Sequence, residues 1–268
     1  MKPKLLTAAS TAIVAPLCAA FMMSEFFRIS HAVIAPDLMH DLAISVKGLS
    51  LLSGSFFLAF ALVQIPNGVV LDRFGPRRMI PGMLIIAFAG ALVFATAQSL
   101  TGLTIGRTLM GAGWAIVFMG SLVVLARWYP DRRFTTMVAI FIAFGGLGNL
   151  IATVPLAAAI DVVGWRWTIA GMAVMSTVIA LAIALMVRDA PPRHPYLRRN
   201  PENLRAVLGG VREALSNRQL PYVFAMNFVN YASVISVFAV IGPPYLHDIH
   251  GLGTTGRGQV LMAMSVAT

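Results

Sequence analysis

Charged residues are scarce in this chain of 268 amino acids: Asp, Glu, Lys and Arg together make up 11% of it. Soluble domains carry about 25%. Hydrophobic residues make up 58%, and the mean hydropathy is +0.82. A single water-soluble core cannot bury that much apolar surface. This excludes an ordinary soluble domain and predicts a lipid bilayer as the solvent.

Several chemical motifs are also missing. Cysteine occurs once, as Cys18, which excludes an intrachain disulfide and a cysteine-based metal site. The sequence has no G-x-x-x-x-G-K-[ST] loop, the usual phosphate-binding motif of ATP-driven proteins. No metal-ligand cluster and no nucleophile with a matching base stands out, so we predict no cofactor, no metal and no enzyme activity.

Long apolar stretches are what the chain does have. A helix that crosses the roughly 30 Å hydrocarbon layer needs about 20 residues. Stretches of this kind lie near 8–35, 49–70, 79–98, 102–126, 134–158, 167–187 and 219–243, and an eighth begins near 258. They predict an all-α polytopic membrane protein. The first stretch is too long for a signal peptide, so we expect an uncleaved helix.

The basic residues are distributed unevenly between the two sides of these stretches. With a cytoplasmic N-terminus, 15 of the 20 Lys and Arg residues fall on the cytoplasmic side. They are Lys2, Lys4, Arg73, Arg77, Arg78, Arg127, Arg132, Arg133, Arg188, Arg193, Arg198, Arg199, Arg205, Arg212 and Arg218. Such an excess marks the cytoplasmic side of a plasma-membrane protein. The net charge of +10 therefore indicates topology and not a nucleic-acid partner.

The same reading divides the chain into three regions. Residues 1–187 are predicted to form a six-helix bundle, 188–218 an arginine-rich cytoplasmic connection, and 219–268 the start of a second bundle. Within the connection, 200–217 has the apolar spacing of an amphipathic helix at the membrane surface. The 11 residues of 258–268 make only about 16 Å of helix, so we expect the chain to be part of a longer protein.

A charged hairpin lies between the second and third stretches, with the sequence GVVLDRFGPRR. Its marked positions are Gly68, Asp72, Arg73, Gly75, Arg77 and Arg78. An acid at a membrane boundary can pair with an arginine or face a helix N-terminus, and such contacts can hold one conformation of a gate. The alternative is that the arginines only satisfy the inside-positive bias, which leaves Asp72 and the glycines unexplained.

The hairpin resembles the G-x-L-A-D-R-x-G-R-R/K loop of the major facilitator superfamily, with Pro76 where that family often has a basic residue. The GRTLMGAG stretch is similar to the family's R-x-x-x-G-x-G motif and holds Arg107, Gly111 and Gly113. The resemblance implies a truncated 12-helix architecture: one six-helix half, helix 7 and part of helix 8. It also implies a gating role for the hairpin and helix packing for Gly111 and Gly113.

Three charged residues, Glu25, Arg28 and Arg107, fall inside apolar stretches. An arginine at mid-helix costs about 2.5–3.5 kcal/mol on insertion, and such residues usually face a cavity or a partner. Arg28 is a candidate to bind an anionic group, with Glu25 and Arg107 beside it. The alternative is a Glu25–Arg28 pair that neutralises itself, since the two are three residues apart on one helix. His31 is a candidate proton carrier or a structural histidine.

The stretch FFRISHAVIAPDL is similar to the first helix of the organophosphate–phosphate antiporters, in which the arginine contacts phosphate. That subgroup has a second arginine in helix 7, where this chain offers Asn227 and Tyr231 instead. We therefore broaden the expected substrate to a small organic anion.

The predicted function is secondary transport by alternating access, with proton coupling left open and the second half of the protein needed. The alternatives are a drug exporter, a membrane scaffold or sensor, and a membrane enzyme.

Overall fold

The computed structural model describes residues 8–129, 131–192 and 216–235, together with positions 194, 196, 209, 213, 245, 249, 250 and 260. The chain divides into two compact units, Met1–Leu204 and Arg205–Thr268. The predicted amphipathic helix at 200–217 lies almost wholly outside the described residues. Its presence stays a prediction, as do the region boundaries at 187 and 218.

The first unit is built from eight helices in its described part. They are α1 (Ala8–Leu42), α2 (Val46–Leu62), α3 (Gln64–Phe74), α4 (Pro76–Thr96), α5 (Leu100–Trp114), α6 (Ile116–Trp128), α7 (Asp131–Ile151) and α8 (Val154–Met186). Serine side chains cap the N-termini of two of these helices, α2 and α5. The hydroxyls of Ser45 and Ser99 accept from the backbone N–H groups of Gly48 and Gly102.

Among the described residues, five helical segments meet the length and apolarity that a membrane crossing requires, and the bent pair α2–α3 makes a sixth when it is counted as one span. Counted in this way, the second predicted stretch is one crossing with a bend of 43° between its two helices. Likewise α5 and α6 together make the fourth crossing, Leu100–Trp128. The prediction of an all-α membrane protein is confirmed.

The fifth and sixth predicted stretches meet inside α8. The backbone leaves helical geometry at Gly164, where φ is 79° and ψ is 158°, so this range contains two helical segments joined by a break. A positive φ costs glycine little because it has no Cβ. The predicted fifth stretch thus covers α7 and the start of α8, and the sixth covers α8 after the break.

Helix α5 packs closely against α2 and α4, and α1 packs against α7 and α8. A Cβ atom on Gly111 would meet the Phe56 backbone of α2, with the Phe56 Cα atom at 3.0 Å. One on Gly113 would lie 2.6 Å from the Ala87 Cβ atom of α4. Without a hydrophobic drive in lipid, close backbone approach is a main source of helix association.

One end of the bundle is tied by polar contacts near the break in α8. The Trp165 indole Nε1 donates to the Asp41 carboxylate at the end of α1, at 2.9 Å. Arg166 donates from Nη1 to the carbonyl oxygens of Ala95 and Ala97 at the end of α4, at 2.9 and 2.7 Å. These bonds hold α1, α4 and α8 together at the side predicted to face out.

The second unit contains α9 (Leu220–Ile235) in its described part. Its apolar side chains are widely exposed, including Tyr222, Phe224 and Phe228 at more than half of their surface. This helix corresponds to the start of the predicted seventh stretch at 219–243. The remainder of that stretch and the predicted eighth lie outside the described residues, apart from single positions.

Candidate functional site

The centre of the candidate site is an ion pair inside α1. Glu25 Oε1 lies 2.9 Å from Arg28 Nη1, as their spacing of three residues allows. The Arg28 side chain keeps 24% of its surface exposed, and that of Glu25 keeps 11%. Arg28 Nε is buried and has no hydrogen-bond partner among the described residues. The guanidinium is therefore only partly satisfied by the carboxylate.

Two neighbours from other helices position this pair. The Asn149 side chain of α7 lies beside Glu25, and the Arg28 guanidinium carbon lies 5.2 Å from the Phe60 ring centroid of α2. A cation over an aromatic face is stabilised by the ring quadrupole. Neither partner was identified from the sequence. Asn149 follows Gly148, whose lack of a side chain lets α7 approach the backbone of α1, and this is the signal that could have pointed to it.

Arg107 lies deeper in the bundle, with 1% of its surface exposed. Nη1 donates to the Phe27 carbonyl oxygen at 2.8 Å, and Nη2 donates to the Arg28 carbonyl oxygen at 3.4 Å. Its guanidinium carbon sits 4.3 Å from the Phe56 ring centroid of α2. Arg107 on α5 is thus bound to the backbone of α1, and in this conformation it does not face an open cavity.

His31 extends this connection from α1 to α2. Arg107 Nη2 lies 3.0 Å from His31 Nδ1, and His31 Nε2 lies 2.5 Å from the Ser53 hydroxyl. In the contact with Arg107, arginine only donates, so Nδ1 accepts, and the ring proton then lies on Nε2 and is donated to Ser53. Ser53 then donates to the Leu49 carbonyl oxygen at 3.2 Å. Nδ1 also lies 3.2 Å from the Arg28 carbonyl oxygen, so its two contacts favour opposite positions of the ring proton.

The charged hairpin forms the turn between α3 and α4. Gly75 has φ 79° and ψ 154°, and Pro76 takes the first position of α4. A left-handed φ favours glycine, and proline suits a first helical position because that N–H has no helical partner. Gly68 is less crowded: a Cβ atom there would meet only the Met119 sulfur, at 3.9 Å.

Nearly the whole chain matches a known protein family. The sequence profile of the Major Facilitator Superfamily matches residues 17–268. This chain belongs to that superfamily. The family suggested by the hairpin and the R-x-x-x-G-x-G stretch is therefore confirmed, and with it an integral membrane location.

Named relatives within the superfamily are distant. An Agrobacterium vitis protein named for tartrate transport is 24% identical over 195 residues, which cover 68% of this chain and 43% of that protein. A nitrate/nitrite transporter of a Picosynechococcus species is 28% identical over 229 residues, covering 75% of this chain and 40% of that protein. The chain spans less than half the length of these curated relatives.

Solved structures agree on the fold. A bacterial homologue of the human lysosomal transporter Spinster, crystallised facing inward and unoccupied, superposes with a TM-score of 0.67 at 16% identity. The match covers 97% of this chain and 61% of that structure. At this identity the likeness concerns the architecture of the superfamily and nothing finer.

Within this superfamily member, the hairpin is anchored by an acid that the sequence reading did not single out. Asp189 follows α8, and its Oδ1 accepts from the Arg77 backbone N–H at the start of α4, at 2.7 Å. A Cβ atom on Gly75 would lie 2.6 Å from Asp189 Oδ2. Arg77 Nε also donates to the Ala184 carbonyl oxygen at 3.1 Å. A carboxylate at a helix N-terminus is favoured by the free N–H groups and the helix dipole.

The predicted gate acid, Asp72, and Arg73 are both exposed at the end of α3. Asp72 forms no salt bridge among the described residues. Arg73 lies 5.3 Å from the ring of the adjacent Phe74, and Arg78 is exposed on α4. Within the described residues, Asp189 is thus the acid bound at the start of α4. The gating role of the hairpin stays a prediction.

Asn227 and Tyr231 both lie on α9, in the second unit. The Asn227 side chain is exposed and donates to the Val223 carbonyl oxygen at 2.9 Å within the same helix. The structure brings Glu25, Arg28, Arg107 and His31 together. Whether Asn227 and Tyr231 join them stays a prediction.

Proposed function

We propose that the protein to which this chain belongs is a secondary transporter of a small organic anion that works by alternating access. It would lie in the plasma membrane with its N-terminus in the cytoplasm and bind its substrate near the midplane. Membership of the Major Facilitator Superfamily and relatives named for tartrate and nitrate/nitrite transport support the proposal.

The observation that carries the anion assignment is the state of Arg28. Its guanidinium uses Nη1 for Glu25, keeps part of its surface open, and has an Nε with no hydrogen-bond partner in the described part of the chain. A guanidinium offers five donors in a planar fork that matches a carboxylate or an oxyanion. An anion could therefore bind the remaining edge of Arg28, or replace Glu25, without a rearrangement of α1.

Displacement of the Glu25 carboxylate from Arg28 by the anion would also couple transport to protons. An anion that takes over Arg28 leaves the Glu25 carboxylate without its neighbouring positive charge, in a site 11% exposed. A proton on Glu25 would remove its unpaired negative charge, so one proton would travel with each anion bound. Glu25 is a better candidate for this step than His31, because a second proton on His31 would face Arg107 at 3.0 Å.

The remaining residues have supporting roles in this scheme. Arg107 joins α5 to α1 beneath the site through the carbonyl groups of residues 27 and 28. The hairpin over 68–78 would latch the cytoplasmic side, with Asp72 free to meet a partner from the second half of the protein. Asn227 and Tyr231 would contribute polar contacts to the substrate from helix 7.

The second candidate is efflux of a hydrophobic compound. It is favoured by the same ion pair, since Glu25 and Arg28 form a closed pair at 2.9 Å that cancels their charges. In that case Arg28 is a structural residue, and no substrate charge is required.

Uptake by the full protein in proteoliposomes tests the choice. Tartrate and nitrate serve as anionic probes and ethidium as a hydrophobic cation, each with and without a proton gradient. We expect anion uptake to fall by about 10–100-fold in Arg28→Gln, because one charge-assisted hydrogen bond contributes about 1.5–3 kcal/mol. Glu25→Gln should keep anion exchange but lose accumulation driven by protons.

Lys47→Gln is the matched control, because it removes one positive charge at an exposed position in the first turn of α2. Uptake should be unchanged in this variant. Anion uptake that survives Arg28→Gln would reject the assignment of Arg28. Ethidium transport without any anion transport would favour the efflux function.

A further inference from the structure

A cavity separate from the candidate site opens between the start of α4 and the end of α8. Its volume is about 450 Å3, and it is lined by Arg77, Arg78, Pro81 and Ala184. That volume falls in the ~300–1,000 Å3 range of small-molecule clefts. Two cationic side chains, Arg77 and Arg78, therefore line the cavity together with the apolar residues Pro81 and Ala184.

Both arginines have hydrogen-bond donors to spare. Arg77 uses its backbone N–H for Asp189 and its Nε for the Ala184 carbonyl oxygen, and the described residues offer no further partner to the two terminal nitrogens of its guanidinium. Arg78 is exposed and has no hydrogen bond or ion pair within the described part of the chain. The Asp189 carboxylate is already engaged at the start of α4, so it balances only part of this charge.

The surface beside the cavity is apolar and faces outward from the bundle. Ile85 of α4 is 63% exposed, and Leu181 and Leu185 of α8 are 59% and 70% exposed. Ile85 lies one helical turn beyond Pro81, and Leu181 lies one turn before Ala184, so these side chains continue the two cavity walls. The cavity therefore lies where the basic hairpin meets the lipid-facing band.

We propose that this cavity binds the headgroup phosphate of an anionic phospholipid, with the acyl chains along Ile85 and Leu185. Arg77 and Arg78 would donate to the phosphate oxygens, for which the guanidinium geometry is well suited. Basic pockets between membrane helices at the cytoplasmic side are suited to such headgroups. The proposal depends on neither the substrate nor the direction of transport.

The apolar surroundings decide between a lipid and a soluble anion. A free phosphate would gain only the two arginines and would leave Pro81, Ala184 and the adjacent leucines uncovered. A phospholipid satisfies the cations and covers the apolar walls with the same molecule. The occupant is therefore a lipid and not a dissolved ion.

Lipid retention measured by native mass spectrometry tests the proposal. The full protein is reconstituted in nanodiscs of phosphatidylcholine mixed with phosphatidylglycerol, extracted, and scored for each bound lipid. We expect phosphatidylglycerol to be retained in excess. In the double variant Arg77→Gln with Arg78→Gln, its apparent affinity should fall by about fivefold per arginine removed.

Two further variants give the test its controls. Arg132→Gln with Arg133→Gln removes the same charge from the start of α7, outside the cavity lining, and should keep phosphatidylglycerol bound. Ala184→Phe fills the cavity without a change of charge and should release it even if the arginine variant folds poorly.

Equal retention of the two lipids by the unaltered protein would overturn the proposal. An equal loss of phosphatidylglycerol in the two double arginine variants would also overturn it. So would displacement of phosphatidylglycerol by inorganic phosphate and by neutral salts at the same concentrations, because the retention would then be unspecific charge attraction.

Discussion

Gly113 offers a stringent test of how α5 packs in the bundle. In Gly113→Ala, the added Cβ atom would lie 2.6 Å from the Ala87 Cβ and 2.7 Å from the Ala87 Cα, where carbon atoms prefer 3.5–4.0 Å. The two helices must therefore separate by about 1 Å. Overpacking of a filled interior costs about 1–3 kcal/mol.

Helix propensity acts in the opposite direction, and a second glycine separates the two effects. Glycine to alanine favours a helix by about 1 kcal/mol. In Gly171→Ala, within α8, the added Cβ atom would meet no atom within 4 Å, so only this favourable part applies. We expect Gly113→Ala to be less stable than Gly171→Ala by about 1–3 kcal/mol.

Unfolding of the purified protein by sodium dodecyl sulfate in mixed micelles, followed by circular dichroism, measures this difference. Ala87→Gly in the Gly113→Ala background should restore only part of the loss, because the Ala87 backbone remains within 2.7 Å of the new Cβ. Equal unfolding midpoints for Gly113→Ala and Gly171→Ala would refute the packing described for α5 and α4.

Three further predictions follow from contacts at the two ends of the bundle. Asp189→Ala should lower stability by about 1–2 kcal/mol in the same unfolding assay, because the Arg77 N–H loses its acceptor, and Asp189→Asn should lower it less. An equal loss in both variants would show that the amide cannot replace the carboxylate. Trp165→Phe should lower the unfolding midpoint through the lost bond to Asp41, and an unchanged midpoint would contradict that bond. Asp72→Cys should react with an impermeant maleimide in inside-out vesicles and not in intact cells, and the reverse result would invert the proposed topology.

The helices were predictable where bilayer physics acts on composition. The crossings follow from apolar length, and the Glu25–Arg28 pair follows from their spacing on one helix. The bend between α2 and α3 was missed although Pro66 signals it: proline has no N–H to donate to the Leu62 carbonyl oxygen, and its ring crowds that carbonyl where α2 ends. Composition sets how much chain crosses the bilayer, and a single proline can decide where a crossing bends.

Contacts between helices were harder to predict. Arg107 was expected near a cavity, but it is bound by carbonyl oxygens of α1, which every residue carries and no sequence pattern marks. Asp189 was overlooked because it stands in an arginine-rich connection, where an isolated acid looks like ordinary surface charge. Its role depends on the distance between the end of α8 and the start of α4, which is a property of the folded bundle.

Position 28 serves two purposes with two different parts of one residue. Its carbonyl oxygen and that of Phe27 receive Arg107, while its guanidinium extends to Glu25 and outward. A substitution at 28 replaces the guanidinium and leaves the peptide unit in place. Under the proposed role of Arg28, selectivity for cargo can therefore diverge at this residue during evolution, or be redesigned there, without loosening the attachment between the first and fourth crossings.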